Sequence, residues 1–209
     1  EFNMTNIFIT IVNFNGNNDT ISCLKSLEEI RVKDFILNVV VIDNGSEEEF
    51  KEDPKSYKNF KLHLLRSEEN LGFSGGQNLG IKYALINSAD FVLILNNDTI
   101  VDKDLILNLL ETFDKKSDCG IVSPKIYFAK GHEYHKDRYD PKDLGKVIWY
   151  AGGKNDWGNV LASHKGVDEV DKKQYDKLEK TDFASGCCEL IKREVFDKVG
   201  LFDEKYFLY

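Results

Sequence analysis

The sequence lacks a basic excess. Its 28 Lys+Arg stand against 36 Asp+Glu, a net charge of −8 over 209 residues. That argues against a nucleic-acid-binding domain, which needs a basic face to displace counterions from phosphates. A local site for an anionic small molecule stays open. No apolar run approaches the roughly 18 residues of a membrane span, and no signal peptide is visible. Cysteine is sparse. Cys23, Cys119, Cys187 and Cys188 show no metal-ligand spacing, and adjacent Cys187-Cys188 is a poor disulfide pair. Reduced thiols and a cytoplasmic location are the expectation. The four histidines are scattered, and neither an internal repeat nor a low-complexity tract occurs. Glu1-Phe2-Asn3 precede Met4 and read as a cloning remnant.

What is present is a hydrophobic fraction of 42%, enough for a sizeable core, in an alternation of strand and helix signals. Strands are expected at Ile7–Val12, Leu37–Ile42, Lys61–Leu65, Phe91–Leu95 and Gly120–Val122. Between them, one helix capped by Asp19 carries Ile21, Leu24 and Leu27. A second, opened by Gly75-Gly76, carries Leu79, Tyr83 and Ile86. A third, capped by Asp102, carries Leu105, Leu109 and Phe113. Repeated units of this kind predict an α/β fold with a mostly parallel central sheet and helices on both faces. Residues from Phe128 to Lys180 are charged, aromatic and weakly periodic, the pattern of a long functional loop. Order returns with a strand over Asp182–Ile191 and a helix over Arg193–Val199, stopped by Gly200.

In open α/β sheets ligands collect beyond the carboxyl ends of the strands. Polar clusters fall at those ends: Asn13–Asn15, Asp43–Ser46 and Asn96–Asp98. A carboxylate after Leu95, as Asp98 is, can hold a divalent cation that bridges a diphosphate. It can equally belong to a plain turn. Asp43 can accept the imide N–H of a uracil or thymine ring, or close an Asx-turn with Asn44-Gly45. The glycines of Asn70-Leu71-Gly72-Phe73-Ser74-Gly75-Gly76-Gln77-Asn78 let a backbone approach a ligand at a helix N-terminus. The spacing is neither G-x-G-x-x-G after the first strand nor a Walker loop.

These segments, with Trp149–Gly153, Asp182–Gly186 and Glu194–Tyr209, resemble in order and spacing the inverting family-2 glycosyltransferases of GT-A fold, most closely the bacterial rhamnosyltransferase-like branch. The resemblance covers nearly the whole chain. It implies one GT-A domain, Rossmann-like, with a nucleotide-sugar-binding half over about 4–125 and a less regular acceptor-side half over about 126–209. By resemblance Val12, Asn13, Phe14 and Asn15 contact base and ribose, and Asp43 with Asn44 meets the pyrimidine. Gly72, Gly76, Gln77 and Asn78 border the donor. Asn96, Asn97 and the metal ligand Asp98 form the Asp-x-Asp position, with Mg2+ or Mn2+ as cofactor. Gly186 lines the sugars. Asn96 replaces the first acid of that motif, and Gln77 stands where many relatives carry Arg.

The family's general base is an acidic residue after a Phe-Leu-Tyr segment, so it is expected beyond Tyr209. The implied reaction moves a sugar with inversion from a dTDP- or UDP-sugar, dTDP-rhamnose first, to a glycan or lipid-linked glycan of the cell surface. Peripheral association with the inner membrane face is compatible with this. A non-catalytic nucleotide-sugar-binding module is the alternative.

Overall fold

Why the first half builds a parallel sheet is visible in its strands. The second strand, FILNVVVIDN, is buried at every position but one, so both its faces must be covered. The computed structural model describes residues 4–208, apart from the Lys136 side chain. Glu1–Asn3, Tyr209 and the expected base after it lie outside the described residues. In chain order the elements are β1 (Thr5–Asn13), α1 (Asn17–Glu28), β2 (Phe35–Asn44), β3 (Lys61–Ser67), α2 (Gly72–Ile86), β4 (Phe91–Leu95) and α3 (Leu105–Lys115). There follow β5 (Ile121–Val122), β6 (Ile126–Tyr127), β7 (Ile148–Tyr150), β8 (Gly153–Asp156), β9 (Leu161–His164), β10 (Cys188–Lys192) and α4 (Arg193–Val199). The chain divides into two units. One runs to Val122 and resumes at Glu189; the other is Ser123–Cys188.

The first unit is a six-stranded sheet in the order β3-β2-β1-β4-β10-β5. β1, β2, β3 and β4 are mutually parallel, and β10 pairs antiparallel with β5. On one face Phe8, Val40, Ile42, Val92, Ile94 and Ile191 pack with Ile81 and Ala84 of α2 and Phe196 of α4. By strand alternation Ile7, Ile9, Ile11 and Leu93, all fully buried, point to the other face, as do the inner side chains of α1 and α3. The missing side chain of Gly80 lets α2 lie close on the sheet. A Cβ on Gly80 would meet Ile42 Cδ1 at 2.7 Å and Thr10 Cγ2 at 2.9 Å. Gly80→Ala is therefore expected to lower stability by about 1–3 kcal/mol through overpacking, read as a drop in the urea midpoint at unchanged slope.

Several element boundaries differ from expectation. Asp19 lies inside the first turn of α1, and the N-cap is Gly16 with no side-chain cap bond. The carboxylate still complements the helix dipole there. α2 begins at Gly72, three residues before Gly75, and α3 is preceded by Asp104 rather than capped by Asp102. The Asp102 carboxylate instead accepts the Asp104 N–H at 2.8 Å. The last strand starts at Cys188, six residues later than read from the sequence.

The second unit is more ordered than its weak periodicity implies. β6 pairs with β7, and β8 with β9, each as an antiparallel two-stranded sheet. Val147, Ile148 and Tyr150 form its buried centre, and the Tyr150 hydroxyl donates to Phe183 O at 2.7 Å. Trp157 and Tyr134 project into solvent.

Candidate functional site

The carboxyl edge of β1, β2 and β4 gathers the expected residues, and the structure sorts them into two groups. Most are engaged in holding the loops. Asn13 is fully buried: its amide donates to Asn17 Oδ1 at 2.9 Å and Ser46 Oγ at 3.3 Å, and its oxygen accepts the Thr20 hydroxyl at 2.8 Å. Asn15, at φ +53°, ties the same loops. Its N–H donates to Ser46 Oγ and its side-chain oxygen accepts the Glu47 N–H, each at 2.9 Å. Asn97 donates to Thr20 Oγ1 at 3.1 Å and Gly16 O at 3.5 Å. Loop backbones need such partners, and Asn supplies both donor and acceptor on a short stem.

Asp43 belongs to the same group. It stands opposite Asn13 in the sheet register and is buried. One carboxylate oxygen accepts the Ser46 N–H at 3.1 Å. The other accepts the Phe50 N–H at 2.9 Å and the Arg66 guanidinium, which also donates to Ser46 O at 3.2 Å. Burial pushes the Asp43 carboxyl upward, yet hydrogen bonds from Ser46 and Phe50 and the Arg66 charge outweigh it and hold the group below the usual carboxylate range. Arg66 carries no signal of its own in the sequence. It faces Asp43 only once β2 and β3 are paired in register, Asp43 opposite Arg66. A small cleft of about 180 Å³ opens beside the pair, lined by Phe50, Leu65 and both charged groups. A larger hollow of about 590 Å³ lies elsewhere, against the starts of β2 and β3 near Tyr57 and Phe60.

The glycine-rich segment also serves the scaffold. Asn44 donates to Asn70 Oδ1 and Gly72 O, both at 3.0 Å, and accepts the Leu71 N–H at 3.1 Å. Gly72 takes φ +70°, and a Cβ there would meet Phe207 O at 2.2 Å. The Phe73 N–H donates to that same oxygen at 2.7 Å. Asn78 clamps the stretch after α4: its amide donates to Phe202 O and Glu204 Oε1, both at 2.9 Å, and its oxygen accepts the Phe202 N–H at 3.0 Å. Gly76 packs against Val12, whose two methyls lie 3.0 Å from where its Cβ would be. Gln77 is buried and accepts the Thr10 hydroxyl at 2.7 Å. Its Nε2 has no partner among the described residues.

The second group is free to meet a ligand. Phe14 presents an exposed ring at the end of β1. Asp98 is exposed and makes no hydrogen bond or ion pair with a described residue, and the half-buried Asn96 side chain is likewise unengaged. Among the described residues no three His, Cys, Asp or Glu side chains cluster as a ready-made cation cage. A single uncompensated carboxylate beside two amides fits a hard cation that arrives with phosphate oxygens, since Mg2+ commonly takes only one or two protein carboxylates. Gly186 lies in the second unit, in the turn before β10. No helix among the described residues is long and apolar enough to cross a membrane.

The chain is 28% identical over 207 residues to the low-salt glycan biosynthesis hexosyltransferase Agl10 of Haloferax volcanii, covering 99% of this chain and 59% of that protein. It is 24% identical over 207 residues to the dTDP-rhamnosyl transferase RfbF of Shigella flexneri, covering 98% and 60% respectively. The chain thus spans about three-fifths of the length of these curated relatives. Among solved structures it is similar to GalNAc-T7 crystallised with UDP, GalNAc and Mn2+. The TM-score is 0.69 at 18% identity, over 100% of this chain and 39% of that one, a likeness of fold alone. Residues 8–200 match the model of glycosyl transferase family 2. The chain belongs to glycosyl transferase family 2.

Proposed function

We propose that this chain is the donor-binding part of an inverting glycosyltransferase that acts in cell-surface glycan synthesis. Its donor is a dTDP- or UDP-sugar, dTDP-rhamnose first among them, and its acceptor a glycan or lipid-linked glycan. The observation that carries this reading is the free pair at the carboxyl edge: Phe14 and Asp98 stand unengaged where every neighbouring polar side chain except Asn96 and part of Gln77 is tied into the scaffold. An exposed ring suits stacking on a base. Asp98, with Asn96 beside it, would hold Mg2+ or Mn2+, and such an ion neutralises charge on a leaving diphosphate.

The chain's own residues then position. Asp43, Arg66 and Ser46 fix the loop between β2 and β3, so the β2 end keeps its shape when a nucleotide arrives. Preorganisation of this kind lowers the ordering cost of binding.

The test is release of nucleoside diphosphate by the natural gene product from a panel of UDP-, dTDP-, GDP- and ADP-sugars with an acceptor extract and Mn2+. Turnover of a dTDP- or UDP-sugar, with the anomeric configuration inverted in the product, is the expected result. Turnover of purine donors alone, or retention of configuration, contradicts the reading.

A further inference from the structure

One strand of the sheet carries a charge where its neighbours are apolar. β10 reads Cys-Glu-Leu-Ile-Lys, and its Glu189 is only 7% exposed. The Arg193 N–H donates to Asp90 O at 2.9 Å, so β10 ends where β4 begins and runs antiparallel to it. Continuing that register places Ile191 opposite Val92 and Glu189 opposite Ile94. Ile191, Val92 and Ile94 all belong to the layer beneath α2, so Glu189 points into the same layer. On its other side Ile94 is paired with Thr10, whose hydroxyl holds Gln77 Oε1.

Thr10, Ile94 and Glu189 therefore form one row across three strands. Its ends are roughly 10 Å apart at two strand spacings. Asn96, two residues beyond Ile94, continues the same face to the carboxyl edge, where it is half exposed. Gln77 Nε2 is a fully buried donor without a partner among the described residues, and the Glu189 carboxyl, in a residue 7% exposed, makes no hydrogen bond or ion pair with a described residue. Burial alone pushes that carboxyl up to about 7; no charged neighbour contributes. Buried polar groups left unpaired in a native structure call for an explanation such as a ligand or an internal water. A non-functional sheet layer has no need of a carboxyl there, and leucine would serve better.

We propose that Glu189 and Gln77 form a buried hydroxyl-binding pair beneath the carboxyl edge, in which a hydroxyl of the sugar portion of the donor donates to Glu189 and accepts from Gln77 Nε2. The pair rests on the donor reading above and adds the sugar subsite to it. Asn96 sits at its mouth, between this pair and Asp98. Sugar recognition is thereby separated from recognition of the diphosphate, which falls to Asp98.

The experiment is calorimetric titration of the chain with UDP, UDP-glucose, UDP-N-acetylglucosamine, dTDP and dTDP-rhamnose in Mn2+. The expected result is that at least one sugar nucleotide binds about tenfold more tightly than its parent diphosphate. Glu189→Leu and Gln77→Leu should each remove that increment, of the size of one buried hydrogen-bonded group, and Glu189→Leu should keep diphosphate affinity within about twofold. Glu189→Leu is also expected to melt higher than the parent at pH 8, since it removes an uncompensated buried carboxylate, so loss of fold is read separately from loss of sugar. Glu189→Gln should retain part of the increment. An increment unchanged in both leucine variants, with the higher melting point, overturns the proposal. A wild-type chain that binds the diphosphates but gains nothing from any sugar overturns it equally. Failure to bind any nucleotide at all takes down the donor reading and this proposal with it.

Discussion

Asp98→Ala is expected to abolish the mutual reinforcement of divalent cation and nucleoside diphosphate. In the parent chain, Mn2+ should raise UDP or dTDP affinity by about 10- to 100-fold, and the nucleotide should raise Mn2+ affinity by the same factor. The reason is the poverty of the site without phosphate. One exposed carboxylate, with no group of three His, Cys, Asp or Glu side chains among the described residues to form a cage, cannot satisfy a hard cation that prefers six or more oxygens. The diphosphate completes the shell, so neither ligand is held well without the other. Removing Asp98 should leave the weak, metal-independent affinity intact and take away the coupling. The variant should fold normally, because the Asp98 side chain holds nothing in the scaffold. Titrations of UDP with and without Mn2+ on both proteins decide it. Coupling that survives in Asp98→Ala places the cation on other residues.

Asp43→Ala should act on a different quantity. Its carboxylate gathers two backbone N–H groups and the Arg66 guanidinium at a buried position. Truncation strands those donors, and a loss of about 2–4 kcal/mol follows from the usual penalties for unpaired buried groups. The Arg66 end is 36% exposed, so its charge contributes less than the two N–H bonds. The pH dependence has a definite sign. The folded carboxyl lies below its ordinary value of 3.8, so its contribution is fully present above that value and fades as pH falls through the folded pKa. Urea midpoints between pH 2.5 and 7 should converge for the parent and Asp43→Ala at the acid end. Unchanged stability with a selective loss of pyrimidine preference would instead make Asp43 a base contact and little else.

How much of this was legible in the sequence depends on range. β4 at Phe91–Leu95 and α4 at Arg193–Val199 are found where the apolar pattern and Gly200 put them, because those signals are local. The start of α2 was hidden: Leu71 gives no side-chain cap, and the glycine that begins the helix is required by Phe207, more than a hundred residues away. The expected strand over Asp182–Cys187 fails for a similar reason. Asp182 turns its carboxylate to the Asn155 N–H at 3.0 Å and its own N–H to Gly153 O at 3.1 Å, so the segment serves the β8 hairpin.

The site shows the same division. The sequence marks the carboxyl edge correctly as the polar end of the sheet, but it cannot tell an Asn that faces a ligand from one that ties two loops. Asn13, Asn44, Asn78 and Asn97 each hydrogen-bond across loops, and only pairing in space reveals those bonds. Arg66 and Glu189 are not legible in the sequence, because a lone charge near the end of a strand carries no local signature. Each acquires meaning from the strand beside it, Arg66 from Asp43 and Glu189 from Ile94.

The central claim is that the free groups at this edge receive a pyrimidine nucleoside diphosphate. The most direct measurement is calorimetry of the chain with UDP, dTDP, ADP and GDP in Mn2+, with Phe14→Ala run alongside. The account predicts that UDP or dTDP binds more tightly than either purine diphosphate, and that Phe14→Ala weakens that binding about tenfold without lowering the urea midpoint. Equal or tighter binding of a purine diphosphate, or no binding of any of the four, contradicts it.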